Sequence, residues 1–173
     1  YRPTKIYSVD DFYSLGRYIP RRWIDKYPKN ISHTDKILDL KNNNVNAINK
    51  FVNKLDKILN TRILIVAIPP SKPNTVSGIM NVASKLAMRE RIDGTNLFIR
   101  TKEKKQGRSD KPRDIKIHLD TTAIKYKHAF TNKTVLILDD VATTGNSMEA
   151  AKQLIDLSSP KSMYLFKLEF LDY

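Results

Sequence analysis

Two adjacent carboxylates, Asp139 and Asp140, end the unbroken apolar run Val135-Leu136-Ile137-Leu138 and precede Val141-Ala142-Thr143-Thr144-Gly145-Asn146-Ser147. Ionised carboxylates accept hydrogen bonds from hydroxyls or from the water shell of a metal. The turn behind them offers the opposite chemistry. Thr143, Thr144 and Ser147 carry donor hydroxyls, Asn146 an amide, and Gly145 lets the backbone approach closely. A loop that opens a helix also aims backbone N–H groups at one point, where the helix dipole favours an anion. Anion donors beside hydroxyl acceptors suit a ribose 5-phosphate.

Such a constellation needs a rigid strand in front and a helix behind. The apolar run reads as a buried parallel strand, and Met148, Ala151, Leu154 and Ile155 recur at helical spacing. The same order appears upstream. Arg62–Ile68 is a second apolar strand, Pro69-Pro70-Ser71-Lys72 a polar turn, and Val76, Ile79, Met80, Ala83, Leu86 and Ala87 an amphipathic helix. Before it, Lys36–Leu40 reads as a short strand. Asn42–Asn44 then cap a helix whose stripe runs through Val45, Ile48, Phe51, Val52, Leu55, Ile58 and Leu59. Leu97–Thr101 predicts a further strand and Ile115–Leu119, alternating apolar and polar, its return. Lys161–Leu168 supplies the last strand. Between Arg100 and Lys116 lie eight basic and three acidic residues, and Lys102–Asp114 has no apolar residue to anchor it. A basic loop of this length in a compact domain is functional or disordered.

Strongly apolar strands alternating with helices predict an α/β domain with a mainly parallel central sheet and helices on both faces. Residues 41–173 would form this core. Residues 1–40, rich in aromatics and arginines (Tyr7, Phe12, Tyr13, Arg17, Tyr18, Arg21, Arg22, Trp23), would form a hood or capping segment. Its aromatic and basic side chains can stack on bases or form a satellite cluster.

Composition narrows the function classes. The 173 residues are 40% hydrophobic, enough for one core. No cysteine is present, which excludes disulfides and thiolate metal sites and fits a cytoplasmic location. No apolar run approaches the roughly 20 residues of a membrane helix. The five glycines are not spaced as a nucleotide-binding P-loop requires. The net charge is +13, which predicts a polyanionic partner or reflects a bias toward lysine; weak nucleic-acid binding is one expectation.

The stretch Val135–Ser147 resembles the signature of type I phosphoribosyltransferases: four apolar residues, two acids, then a Thr-Gly phosphate loop closing on Thr or Ser. The resemblance covers about residues 60–168. It implies 5-phosphoribosyl-1-pyrophosphate or a nucleoside 5-monophosphate as ligand, with Mg²⁺ held mainly by ligand phosphates and water rather than directly by protein. It implies further that Asp139 and Asp140 hold the ribose hydroxyls, Thr143, Thr144, Gly145, Asn146 and Ser147 the 5-phosphate, and Ser71 and Lys72 the pyrophosphate. The family's pyrophosphate loop often contains a cis peptide, which Pro70 would make inexpensive. A mobile loop of the family corresponds to Lys102–Asp114, with Arg108 and Arg113 as catalytic cations beside Asp139 and Asp140. Members acting on hypoxanthine or guanine often carry an aspartate immediately before the Thr-Gly pair; Thr143 stands there, so the acceptor would be another nucleobase. Arg100, Thr101, Gln106, Arg108 and Arg113 are similar to a pattern of the competence-associated ComF group. A nucleotide-sensing, nucleic-acid-binding regulator and an accessory module in DNA uptake or defence remain alternatives to an active transferase. A homo-oligomer or a larger complex is compatible with each.

Overall fold

A computed structural model describes residues 7–9, 12–18, 31–103, 114–142 and 145–171. In chain order the elements are β1 (Tyr7–Val9), β2 (Phe12–Ser14), β3 (Arg17–Tyr18), α1 (Ile31–Lys41), α2 (Val45–Asp56), β4 (Leu64–Ala67), α3 (Gly78–Ala87), β5 (Ile92–Asp93), β6 (Phe98–Arg100), α4 (Ile115–Thr121), β7 (Thr122–Ile124), β8 (Thr134–Ala142), α5 (Asn146–Asp156) and β9 (Ser162–Leu171). A 3-10 turn, Lys127–Phe130, precedes β8.

The main sheet has the order β1-β2-β9-β8-β4-β5, with β3 also on β9. The β1–β2 pair is antiparallel; β2, β3, β9, β8, β4 and β5 are otherwise paired parallel. β6 and β7 form a separate antiparallel ribbon. The expected mainly parallel α/β architecture is therefore present. The central strands are apolar throughout because both faces are covered. On one face Leu136 and Leu138 of β8 pack with Ile37 and Leu40 of α1, Phe51 of α2 and Val82 of α3. On the other, Val135 and Ile137 pack with Met148 and Ile155 of α5, Phe98 and Phe130. Each of these large side chains contributes about 1.5–3 kcal/mol on burial.

Helix α2 begins where the asparagine run predicts. The Asn44 side chain accepts from the amides of Asn46 (2.9 Å) and Ala47 (3.2 Å), satisfying donors that a helix leaves open. Two sequence expectations are corrected. Lys36–Leu40 lies in helix α1, not in a strand: Ile37 and Leu40, three residues apart, are both fully buried. Ile115–Leu119 lies in helix α4, because Asp114 caps it by accepting from the Lys116 amide at 3.1 Å. The return strand is β7, whose Thr122–Ile124 follow that helix directly. The two-residue β5 was not anticipated; its pairing continues the parallel edge beyond β4.

Helix α3 starts against the end of α1 with no room to spare. A Cβ on Gly78 would stand 1.9 Å from the Leu40 carbonyl oxygen and 2.8 Å from its carbon. Backbone atoms cannot yield as a side chain can, so Gly78→Ala must separate the two helices. The expected cost is roughly 1–3 kcal/mol, typical of overpacking. Thermal unfolding of the variant checks this: an unchanged midpoint would show that the two helices part freely.

Candidate functional site at the carboxyl end of β8

Strand β8 is the hinge of the sheet's topology. From β4 the chain passes through α3 to β5 on one side; from β8 it passes through α5 to β9 on the other. The neighbours β4 and β8 thus diverge at their carboxyl ends, and a crevice at such a switch point is where open α/β sheets bind ligands. Pairing of β4 with β8 stops at Ala67 opposite Leu138, closed by the Ile68 amide donating to the Leu138 carbonyl at 2.9 Å. β9 continues alongside β8 to the pair Ala142 and Phe170. Asp139 and Asp140 emerge where one flanking strand has ended.

Successive strand residues face opposite ways, and the two acids have different surroundings. Asp139 faces α5 and is buried, with 9% of its surface exposed. One of its oxygens accepts from the Ser147 hydroxyl (2.9 Å), the other from the Asp140 amide (2.9 Å). Asp140 is half-buried and faces the α1 side. Its Oδ1 accepts from the Val141 amide (2.6 Å), and its Oδ2 lies 3.6 Å from Nζ of Lys41 at the end of α1. Burial pushes the Asp139 carboxyl up to about 7, reinforced by the neighbouring Asp140 charge and opposed by the Ser147 and Asp140 hydrogen bonds and by Lys167. Lys167, its cross-strand partner on β9, is 2% exposed. Burial brings its ammonium down to about 8, with Asp139 opposing.

Gly145 stands immediately ahead of α5. Its φ of 80° is left-handed, a conformation that costs glycine nothing and other residues about 1–2 kcal/mol. Its carbonyl accepts from the Met148 and Glu149 amides, both at 3.0 Å, and so starts α5. Asn146 and Ser147 form the first positions of that helix, whose dipole is positive at this end. Of the residues expected to bind ligand, Asp139, Asp140, Gly145, Asn146 and Ser147 are therefore together. Thr143, Thr144, Arg108 and Arg113 lie outside the described residues.

The turn after β4 holds Ser71, half-buried, and Lys72, exposed. Lys72 Nζ is 3.9 Å from the Glu103 carboxylate, a loose surface pair. Every peptide bond among the described residues is trans, including the one before Pro70, so the cis bond expected there is absent. What anchors this turn is a residue whose burial the sequence reading passed over. Arg100 at the end of β6 is 7% exposed and sends its guanidinium to the Pro69 and Pro70 carbonyls. Burial lowers its pKa while Asp139 opposes that shift. Period-2 alternation carries the signal: Phe98 and Arg100 share the inward face of β6, with Ile99 between them outward. The same rule places Lys167 on the face of Leu165 in β9. Among the described residues no cluster of three or more histidines, aspartates and glutamates could cage a metal ion.

The raised pKa of Asp139 has a definite consequence for stability. Asp139 titrates near 3.8 when unfolded and near 7 when folded, so between these values the folded chain binds more protons. Its contribution to stability therefore falls as pH rises from about 4 to about 7. At about 1.4 kcal/mol per unit the loss is a few kcal/mol at most. Asp139→Asn should remove it. Denaturant unfolding of both proteins from pH 4 to 8 should show the variant gaining relative to the parent as pH rises; parallel curves would contradict the assignment.

The strand, acidic pair and glycine turn lie within a longer stretch with known relatives. Residues 33–166 match the model of the phosphoribosyl transferase domain, a span that begins inside α1. No curated protein matches the chain by sequence. Among solved structures, a hypoxanthine phosphoribosyl transferase of Trypanosoma cruzi is similar at 10% identity, covering 76% of this chain and 65% of its own, with a TM-score of 0.42. A hypoxanthine phosphoribosyltransferase of Staphylococcus aureus is similar at 16% identity, covering 81% and 71%, with a TM-score of 0.39. The chain thus spans about two thirds of the length of the first of these structures. With the acidic strand end and the Gly145 turn both inside the matched span, and that span covering most of its length, the chain belongs to the phosphoribosyl transferase domain family.

Proposed function

We propose that the protein is a Mg²⁺-dependent phosphoribosyltransferase that binds 5-phosphoribosyl-1-pyrophosphate at the carboxyl end of β8. One observation carries this reading: Asp139 and Asp140 stand beside the left-handed Gly145 turn at the switch point of the sheet. Asp140, half-exposed, accepts a ribose hydroxyl. The Ser147 hydroxyl donates a hydrogen bond to Asp139 in the free protein. A 5-phosphate at the start of α5 draws that hydroxyl to itself, which releases Asp139 to accept the second ribose hydroxyl. Thr143, Thr144, Gly145 and Asn146 complete the phosphate turn, and Ser71 and Lys72 receive the pyrophosphate. Mg²⁺, when bound, would be held mainly by the pyrophosphate oxygens and water, as this small cation prefers, and Asp140 would accept a hydrogen bond from one such water.

In the reaction the C1–O bond breaks and its electron pair leaves with pyrophosphate, while a nitrogen lone pair closes on C1. Positive charge grows on the ribose and negative charge on the leaving group. Mg²⁺ when bound stabilises the latter as a Lewis acid, and Arg108 and Arg113 add bidentate donors. Thr143 has no proton to exchange near neutral pH, which favours an acceptor base other than a 6-oxopurine. The net charge of +13 supports, as a second reading, a nucleotide-sensing nucleic-acid-binding regulator or an accessory module in DNA uptake or defence, and the likeness of Arg100, Thr101, Gln106, Arg108 and Arg113 to the competence-associated ComF pattern is in keeping with the latter. That reading places the protein on nucleic acid with strongly salt-dependent affinity. No described helix is long and apolar enough to cross a membrane, and a cytoplasmic site of action is in keeping with the ligand.

Calorimetry with 5-phosphoribosyl-1-pyrophosphate and Mg²⁺ tests the reading. Wild type should bind, and Asp140→Asn should weaken binding roughly ten- to a hundredfold, the worth of a charge-assisted hydrogen bond. Equal affinity in both proteins, or none in wild type, rejects it. Pyrophosphate release measured over a panel of bases should show slow or no turnover with hypoxanthine and guanine; brisk turnover with either would reverse the inference from Thr143.

A further inference from the structure

We infer that Arg100 is a positioning residue for the pyrophosphate turn, an inference that rests on the phosphoribosyl reading above. The turn after β4 has an unusual weakness. Pro69 and Pro70 carry no amide hydrogen, so neither can be tied to the sheet as a donor, and only their carbonyls are available. Both carbonyls are taken by one side chain. Arg100 Nε donates to Pro70 O at 2.9 Å, and one terminal nitrogen donates to Pro69 O at 3.0 Å. The other terminal nitrogen donates to the hydroxyls of Thr121 (2.8 Å) and Thr122 (2.6 Å), where α4 passes into β7. The Thr121 hydroxyl itself donates to the Ile117 carbonyl at 2.6 Å. Its oxygen lone pairs are thereby left to receive the guanidinium.

Four of the five donors of this guanidinium are thus used, in two opposed pairs, inside a site that is 93% shielded by the measure of its 7% exposure. An ammonium is a point donor on a flexible stem and cannot span both pairs at once. Ser71 and Lys72 follow the two held carbonyls directly, so their placement is inherited from Arg100. The turn that receives the 5-phosphate starts from β8 and Gly145 and shares none of these four hydrogen bonds. Through these hydrogen bonds Arg100 therefore positions one end of the ligand and not the other, and Arg100→Lys, which keeps the charge near Asp139, isolates that role.

That asymmetry separates a positioning role from a merely structural one. Binding of inorganic pyrophosphate, 5-phosphoribosyl-1-pyrophosphate and ribose 5-phosphate, each with Mg²⁺, is measured by calorimetry for wild type, Arg100→Gln and Arg100→Lys. Both variants should lose about tenfold or more for the two pyrophosphate ligands, the scale of a charge-assisted hydrogen bond, and hold ribose 5-phosphate within about twofold. The paired variant Thr121→Val/Thr122→Val, which keeps the arginine and removes its far acceptors, should show the same selectivity and serves if the arginine variants do not fold. Equal loss for all three ligands, or no loss for any, overturns the role of Arg100. Wild-type protein that binds none of the three overturns the phosphoribosyl reading, and the inference falls with it.

Discussion

The parallel pairing of β8 governs the rest of the molecule. β4 accompanies it only as far as Leu138, whereas β9 stays with it to Ala142. While both neighbours are present, the strand can hold nothing but apolar side chains, because helices cover each face. Once β4 has turned away at Pro69, the strand gains an open flank while keeping its register through β9. Polar groups can stand there, held as rigidly as core residues. Loops on a fixed scaffold are where α/β proteins keep their chemistry, and this chain sets its acids on the scaffold strand itself.

Holding charge at that depth is expensive, and the structure spreads the cost. Asp139, Lys167 and Arg100 are each at least nine-tenths shielded. Burial pushes each toward its neutral form, while the opposite charges of the group oppose the shift. Hydrogen bonds from Ser147 and the Asp140 amide, and those Arg100 donates to two carbonyls and two hydroxyls, replace the lost water. An arrangement of this kind adds little net stability. Its merit is definition: every member has one geometry. The apolar layers on both faces of the sheet supply the stability that the polar group does not.

Much of this was legible in the residues. The apolar runs at Arg62–Ile68, Val135–Leu138 and Lys161–Leu168 marked the core strands, because unbroken apolar residues bounded by turn residues read as strands covered on both faces, and the acidic pair with Gly145 marked the candidate site. The five-residue stretches Lys36–Leu40 and Ile115–Leu119 did not. Segments that short satisfy strand and helix periods alike, and tertiary burial of Ile37 and Leu40, or the cap at Asp114, decides between them. Arg100 and Lys167 were legible only by trusting alternation over charge, since both stand where a strand points inward. The engagement of Arg100 with Pro69 and Pro70 was not legible at all: it joins residues some thirty positions apart, and only the packing of the β6–β7 ribbon brings them together.

The opposed directions of Asp139 and Asp140 have a consequence for the folded molecule as a whole. One looks into the layer of α5, the other toward the layer of α1. A ligand that gripped both would straddle the end of the sheet and fasten together two hydrophobic layers that lie on its opposite faces. Its binding energy is then not local to a loop. To open either layer the chain would first have to release such a ligand, so occupancy would be felt in the cooperative unfolding of the entire domain, and a small molecule held this way would act as a rivet through all three layers.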